Sequence, residues 1–137
     1  MNHRYCVIMA DGTGSTKQYR HTYERFLQVV PPENILVVTL ASCAAEARKE
    51  LPDLPESNLL LEPYARKTAP CMALAAYTLL KRDPEAVIIA MPWDLVIRDE
   101  ALFAGTLNEA CTYVEQHDVL MTLGIVPRMP DAKASSP

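Results

Sequence analysis

Several kinds of segment are missing from this sequence of 137 residues, and each absence excludes a class of protein. No apolar stretch approaches the roughly 18 residues that a membrane-spanning helix needs. The lysines and arginines form no run and the net charge is −4, whereas nucleic-acid-binding proteins usually carry a basic face. The opening residues lead directly into a strand-like run, which leaves no room for a signal peptide. We therefore expect a cytoplasmic protein with no membrane and no nucleic-acid partner.

The cysteines and histidines lack the spacing of a metal site. No C-x-x-C pair occurs, and the cysteines are far apart: Cys6, Cys43, Cys71 and Cys111. We interpret them as buried, reduced thiols that behave as small hydrophobic residues. The histidines are equally scattered, so we expect them on the solvent side and expect no zinc: His3, His21 and His117.

Length and composition fit one globular domain. Half of the residues are hydrophobic and 22% are charged, which is an ordinary composition for a folded domain. A chain of 137 residues is too short for two domains of usual size. The last residues are rich in Pro, Ser and Ala without periodicity. We therefore predict a domain over 1–126 and a frayed tail over 127–137.

Apolar runs alternate with segments of helical periodicity along this domain. Strands that are apolar throughout are typical of a parallel sheet buried on both faces. Right-handed crossovers then predict a three-layer, Rossmann-like α/β fold with strand order 3-2-1-4-5. Ser42 and Asp99 are the expected N-caps of the second and fourth helices. The predicted strands are 5–9, 34–40, 58–61, 86–91 and 119–125, and the predicted helices are 21–30, 44–51, 68–81 and 99–116.

The fold class predicts where a ligand binds. In an open parallel sheet, ligands lie beyond the carboxyl ends of the strands, near the point where the strand order reverses. With the first strand central, three turns meet there: 10–17, 61–70 and 91–99. We therefore expect the functional residues in these turns.

The first turn has the composition of an anion-binding loop. Gly12 and Gly14 allow the backbone to approach a phosphate closely, so that successive N–H groups can surround it. Lys17 can add a positive charge. The turn matches neither the dinucleotide fingerprint nor the Walker A motif, so an ordinary turn that binds nothing is the alternative.

The second and third turns carry charged residues at suitable places. Arg66 and Lys67 precede a helix start at Thr68, where the helix dipole favours an anion. The alternative is a solvated basic loop followed by an ordinary helix cap. Asp94 follows the most apolar strand and is a natural ligand for Mg²⁺, which can bridge a carboxylate to substrate phosphates. The alternative for Asp94 is a turn residue leading into a helix.

Taken together, these segments resemble the mannose-1-phosphate guanylyltransferases. The resemblance covers the chain up to about Pro130, and the Glu-Pro segment is its most specific part. It rests on Ile8-Met9-Ala10-x-Gly12-x-Gly14-Ser15, on Glu62-Pro63-x-Ala65-Arg66-x-Thr68-Ala69-Pro70, on Pro92-x-Asp94 and on Leu123-Gly124-Ile125.

The resemblance implies a nucleotidyltransferase fold and a reaction. In that family GMP is transferred from GTP to mannose 1-phosphate, which gives GDP-mannose and pyrophosphate with Mg²⁺. The implied roles are nucleotide binding by Gly12, Gly14, Ser15, Glu62, Arg66 and Thr68, neutralisation of phosphoryl charge by Lys17, and metal binding by Asp94.

The sequence departs from that family at positions that bear on catalysis. Asp11 stands where the family has a glycine, which places a negative charge where phosphate should approach. Thr16 stands where the family has an arginine, so a bidentate phosphate clamp is missing. The loop is also shortened, so that Lys17 follows Thr16 directly. The resemblance further implies a truncated N-terminal part that ends before the sugar-binding half.

These departures leave two other functions open. One is a nucleotide-binding module that does not turn its nucleotide over. The other is a structural role through self-association, since a domain built for a larger enzyme exposes apolar surface. The structural role would make the protein a homo-oligomer.

Overall fold

The computed structural model describes residues 3–10, 17–62, 68–92 and 99–121, without the side chains of 17–19 and 68–69. None of the helices in these ranges combines the length and apolar character that crossing a membrane requires. The elements are β1 (Arg4–Met9), α1 (Lys17–Phe26), β2 (Ile35–Leu40), α2 (Ala44–Glu50), β3 (Leu59–Glu62), α3 (Thr68–Arg82), β4 (Val87–Pro92) and α4 (Glu100–Gln116).

The strands form one parallel sheet in the order β3-β2-β1-β4. This confirms the α/β class and the first four positions of the predicted order. Residues 119–121 of the predicted last strand carry no strand, and 122–125 lie outside the described residues. The fifth position therefore stays a prediction, and so does the tail over 127–137, which also lies outside them.

Helices cover both faces of the sheet, which confirms the three layers. The strands are apolar on both sides, so each face must be buried. One face packs against α1, α2 and α4 through a cluster that includes Ile8, Val37, Phe26, Ala47 and Leu107. The other packs against α3 through Val7, Leu36, Val38, Ala75 and Leu79. The chain reverses direction across the sheet after β3, and right-handed crossovers then place α3 opposite α1 and α2.

The bounds of the first helix and the N-cap of the second differ from the prediction. The first helix begins before the predicted His21 and ends at Phe26, because the N–H groups of Gln28 and Val29 bond three residues back instead of four. The prediction that Ser42 caps α2 is wrong. Ser42 lies in a 3₁₀ turn (Ala41–Cys43), whose first carbonyl accepts from the N–H at the start of α2. A side-chain cap is therefore not needed.

The start and position of α4 are fixed by charged side chains. Asp99 is its N-cap as predicted, since its carboxylate accepts from the N–H of Leu102 at 3.0 Å. At the other end Arg4 of β1 binds Glu115 through two bonds of 3.0 and 2.9 Å. Arg4 also donates to Asn108 at 3.1 Å. A two-pronged bond of this kind fixes orientation as well as distance, and so it ties α4 to the central strand.

Side-chain amides connect the amino ends of three strands. Asn34 donates to the carbonyl of the first residue of β1 at 2.9 Å. The buried Asn58 donates to the carbonyls of Glu33 and Ile35, both at 2.9 Å. Arg82 in turn donates to the Asn58 side-chain oxygen at 2.6 Å. Buried carbonyls at strand starts need partners, and two asparagines supply them here.

A histidine at the same end differs from its sequence expectation. His21 and His117 are exposed, as predicted, but His3 is half-buried. Its Nδ1 lies 2.6 Å from the Asp83 carboxylate, to which the Tyr5 hydroxyl donates at 3.0 Å. The hydrogen bond with His3 lowers the pKa of Asp83 below its ordinary value, and bonds from the Glu85 N–H and from Tyr5 lower it further. These contacts join the start of β1 to the α3–β4 turn.

We expect Asn58→Ala to destabilise the fold by about 2–4 kcal/mol, because two carbonyls and one arginine N–H lose a buried partner. The free energy of unfolding, measured by urea denaturation, checks this. Ser57→Ala is the matched control, since Ser57 is exposed and only its carbonyl accepts from Arg82. A loss for Asn58→Ala no larger than for this control would contradict the bridging role.

We expect the stabilising effect of Asp83 to disappear in acid. Its pKa is lower in the folded chain than its ordinary value of 3.8, so the unfolded chain binds this proton more readily. The stability it contributes is therefore present above that value and is lost as pH falls through the lowered pKa. Denaturation of Asp83→Asn and the parent should differ near about pH 6 and converge well below pH 4. The exposed Glu109→Gln is the control, and a constant difference across this range would contradict the assignment.

Candidate functional site

All four strands end at the same rim of the sheet because they are parallel. The turns after β1 and β4 leave from neighbouring strands, about 5 Å apart, and the turn after β3 leaves roughly 10 Å from β1. Three predicted functional turns therefore start along one rim, and the β1–β4 boundary is where the strand order reverses. The last strand residues are Met9, Leu40, Glu62 and Pro92.

The residue that precedes the glycine turn has a fixed backbone position. Ala10 is buried, and its N–H donates to the carbonyl of Val38 at 2.8 Å. This bond continues the β1–β2 ladder one residue past the end of β1. The glycine turn therefore leaves from a backbone that is held on the sheet.

Helices α1 and α3 both begin at this rim, with Lys17 and Thr68 as their first residues. The N–H groups of a first helical turn have no partner within the helix, and the dipole adds partial positive charge. Neither first turn contains an acidic residue. This end of the sheet is therefore electrostatically suited to an anion such as a phosphate.

Most predicted site residues cannot be placed more closely than this. For Lys17 and Thr68 the backbone is described and the side chain is not. Glu62 is the predicted site residue whose side chain the structure describes. The others lie outside the described residues: Gly12, Gly14, Ser15, Arg66 and Asp94.

The Glu62 side chain is buried and bonded to a cysteine. Glu62 ends β3 and is 7% exposed. Its Oε1 accepts from the thiol of Cys71, with Sγ 2.6 Å away. Cys71 lies in the first turn of α3, on the side of that helix that packs against the sheet. The bond therefore joins the two elements that flank the turn 63–67.

Sequence reasoning missed this pair. It treated Cys71 as a small hydrophobic residue, and the thiol is indeed free and buried. The available signal was helical spacing, because Cys71, Ala75 and Leu79 recur every four residues and share the inner face. That spacing places Cys71 beneath the end of β3, where Glu62 lies.

Burial controls the chemistry of the thiols. Burial, and then the hydrogen bond to Glu62, raises the pKa of Cys71 to about 12. Cys71 is therefore protonated at neutral pH and acts as a hydrogen-bond donor. Burial also raises the pKa of Cys6 and of Cys111. Cys43 differs from the sequence expectation, since it is only half-buried.

The described residues contain no metal centre. Among residues 3–10, 17–62, 68–92 and 99–121, no three His, Cys, Asp or Glu side chains are grouped as metal ligands. Asp94, the predicted Mg²⁺ ligand, lies outside these ranges. The structure therefore leaves the predicted magnesium site untested.

Comparison with known proteins identifies relatives that include mannose-1-phosphate guanylyltransferases. The chain is 41% identical over 124 residues to a mannose-1-phosphate guanylyltransferase of Salmonella montevideo. It is 32% identical over 145 residues to mannose-1-phosphate guanylyltransferase 2 of Escherichia coli O157:H7. These matches cover 90% and 88% of the chain. This chain is a relative of the mannose-1-phosphate guanylyltransferases. No protein-family model matches it.

The chain is much shorter than its guanylyltransferase relatives. It spans 26% of the length of the Salmonella protein and 30% of that of the Escherichia coli protein. The xanthan biosynthesis protein XanB of Xanthomonas campestris is 40% identical over 88 residues, which cover 64% of the chain and 18% of that protein. The kinship therefore concerns a part of each guanylyltransferase.

A solved structure shares the fold. The crystal structure of a mannose-6-phosphate isomerase from Helicobacter pylori superposes with a TM-score of 0.66, over 82% of this chain and 47% of that one. The two sequences are 20% identical. At this identity the likeness concerns the fold alone, and it supports the three-layer α/β arrangement of this guanylyltransferase relative.

We expect the cysteines to differ sharply in reactivity. The thiolate is the reactive form, and with a pKa of about 12 only about one Cys71 thiol in ten thousand is ionised at pH 8. Iodoacetamide should therefore label the half-buried Cys43 first and Cys71 only after denaturation, as measured by peptide mass spectrometry. Labelling of Cys71 at the rate of Cys43 in the folded protein would show that the thiol is not buried against Glu62.

Proposed function

We propose that this chain carries out guanylyl transfer, in which GTP and mannose 1-phosphate give GDP-mannose and pyrophosphate. The observation that carries the proposal is the kinship with mannose-1-phosphate guanylyltransferases over 88–90% of the chain. The fold supports it, since the turns expected to bind phosphate leave from one rim, where α1 and α3 begin without an acidic residue in their first turns. The activity is a proposal because the chain spans less than a third of those relatives.

The chemistry needs positioning and charge neutralisation more than covalent help. A phosphate oxygen of mannose 1-phosphate attacks the α-phosphorus of GTP while the bond from that phosphorus to the β-phosphate oxygen breaks. Pyrophosphate leaves with the electron pair of that bond. Attacking and leaving oxygens lie in line, and the protein must neutralise negative charge on the phosphates.

The proposed roles follow the turns around the rim. Backbone N–H groups of Gly12 and Gly14, with Ser15, would hold the nucleotide phosphates at the start of α1. Lys17 would neutralise charge on the transferred group. Asp94 would hold Mg²⁺, which lowers the repulsion between phosphates when it is bound.

The second turn would complete the nucleotide pocket. Arg66 and Thr68 would contact the nucleotide at the start of α3, where the helix dipole favours negative charge. Glu62 would line the same pocket from the end of β3. The buried position of its carboxylate, within hydrogen-bonding distance of α3, supports a fixed orientation there.

Nucleotide binding without turnover is a second candidate. Asp11 and Thr16 favour it, because the first adds negative charge and the second removes a phosphate clamp. Both residues lie in the turn after β1, which contributes to the expected phosphate site. Nucleotide affinity that depends on the turns after β3 and β4 would then be retained when catalysis is lost.

Self-association stays a prediction. Its physical basis is α3, which is apolar on its outward side as well as its inward side. Four large side chains there are exposed: Met72, Leu74, Tyr77 and Leu80.

We expect the purified chain to release pyrophosphate from GTP with Mg²⁺ and mannose 1-phosphate, and to form GDP-mannose detectable by chromatography. Asp94→Asn and Lys17→Met should each lower the rate by about a hundredfold, the cost of one lost charge-stabilising group. Glu109→Gln, on the exposed side of α4, should leave it unchanged.

The pyrophosphate assay, combined with a thermal melt, separates guanylyl transfer from nucleotide binding without turnover. No pyrophosphate together with a rise in melting temperature on adding GTP and Mg²⁺ would replace transfer by binding alone. No pyrophosphate and no rise would contradict both.

A further inference from the structure

We infer that Cys71 is a positioning residue for the nucleotide, because its thiol holds the Glu62 carboxylate at the end of β3. This inference rests on the proposed function, since it assigns Glu62 a nucleotide as its ligand. Cys71 itself would not touch the ligand. Its effect would pass through Glu62.

The geometry shows that the bond connects two rigid elements. Glu62 is paired into the sheet, where its Cα partner is Leu40 of β2. Cys71 is buried at 7% exposure and packs on the inner side of α3 with Ala75 and Leu79. The 2.6 Å contact between Sγ and Oε1 therefore spans the gap between strand and helix. The bond therefore joins the strand that precedes residues 63–67 to the helix that follows them.

In this contact the Cys71 thiol is the hydrogen-bond donor and the Glu62 carboxylate is the acceptor. A thiol that stays protonated donates one hydrogen bond, whereas a carboxylate offers about four acceptor positions on two oxygens. One bond from Cys71 therefore leaves Glu62 with capacity to accept from a ligand. The same bond restricts rotation of the carboxylate, so that a ligand meets it already oriented.

Serine and alanine at position 71 separate positioning from packing. Cys71→Ala removes the donor, and we expect it to weaken binding of GTP–Mg²⁺ by about fivefold, the factor represented by one ordinary hydrogen bond. Cys71→Ser restores a donor and should bind within about twofold of the parent. Cys111→Ala is the matched control, because Cys111 is also buried but lies on α4 at the opposite face. It should leave binding unchanged.

Isothermal titration calorimetry measures these affinities, and urea denaturation of each variant monitors the fold. Glu62→Gln and Cys71→Ala should not be additive when combined, since both act on one contact. Equal binding by the parent and Cys71→Ala would overturn the positioning role and leave the proposed function standing.

A spectroscopic measurement tests the pair without any nucleotide. The infrared S–H stretching band of Cys71, isolated as the difference between parent and Cys71→Ala, should lie at the low frequency of a strongly bonded thiol. It should move to higher frequency in Glu62→Gln, because an amide oxygen is the weaker acceptor. A band that does not move would overturn the inference at its first step.

Failure of the proposed function has a different pattern. If the parent does not bind GTP–Mg²⁺ while the S–H band shifts as expected, the pair exists and the nucleotide role of Glu62 and Cys71 is refuted together with the proposed function. Weaker binding by Cys71→Ala, rescue by Cys71→Ser and a shifted band together support the inference.

Discussion

The buried amide of Asn58 is the constraint that sets the amino end of the parallel sheet. Backbone carbonyl groups that are removed from water need hydrogen-bond partners. Asn58 accepts from Arg82 and donates to Glu33 and Ile35, so that one side chain connects α3 with the starts of β2 and β3. Asn34 makes the equivalent connection to β1. The spacing of the strands at this end is therefore fixed by side chains as well as by the ladder.

The amino and carboxyl ends of the sheet carry different kinds of polar group. At the amino end, charged and polar groups bind one another: Arg4 binds Glu115, and His3 binds Asp83. At the carboxyl end, α1 and α3 present their first turns, and the bond between Cys71 and Glu62 joins the end of β3 to the start of α3. The proposed phosphate-bearing ligand is assigned to the second end because helix starts attract anions.

A structural feature could be predicted from the sequence where neighbouring residues determine it. Short apolar runs such as 86–91 gave the strands, and a carboxylate before a helical segment identified Asp99 as a cap. Ser42 was a wrong cap because the backbone of a 3₁₀ turn satisfied the same N–H. Arg4 and Glu115 are 111 residues apart in sequence. No local sequence pattern predicts that they are in contact, or which face of the sheet α4 covers. The Glu62 and Cys71 pair was missed for a different reason, because Cys71 was interpreted as a small hydrophobic residue and its helical spacing was not used. Strand order did predict correctly that the turns after β1, β3 and β4 leave from one rim.

The separation of the two ends has a consequence for how such a chain can change over generations. The described contacts that hold the strand starts are made by Arg4, Asn34 and Asn58 at the amino end of the sheet. The departures Asp11 and Thr16 lie in the segment that follows the carboxyl end of β1. Substitutions in that segment therefore leave the described contacts at the amino end in place, and selection can act on the two ends separately. A fold of this kind can be retained after one catalytic activity is lost and can then acquire another.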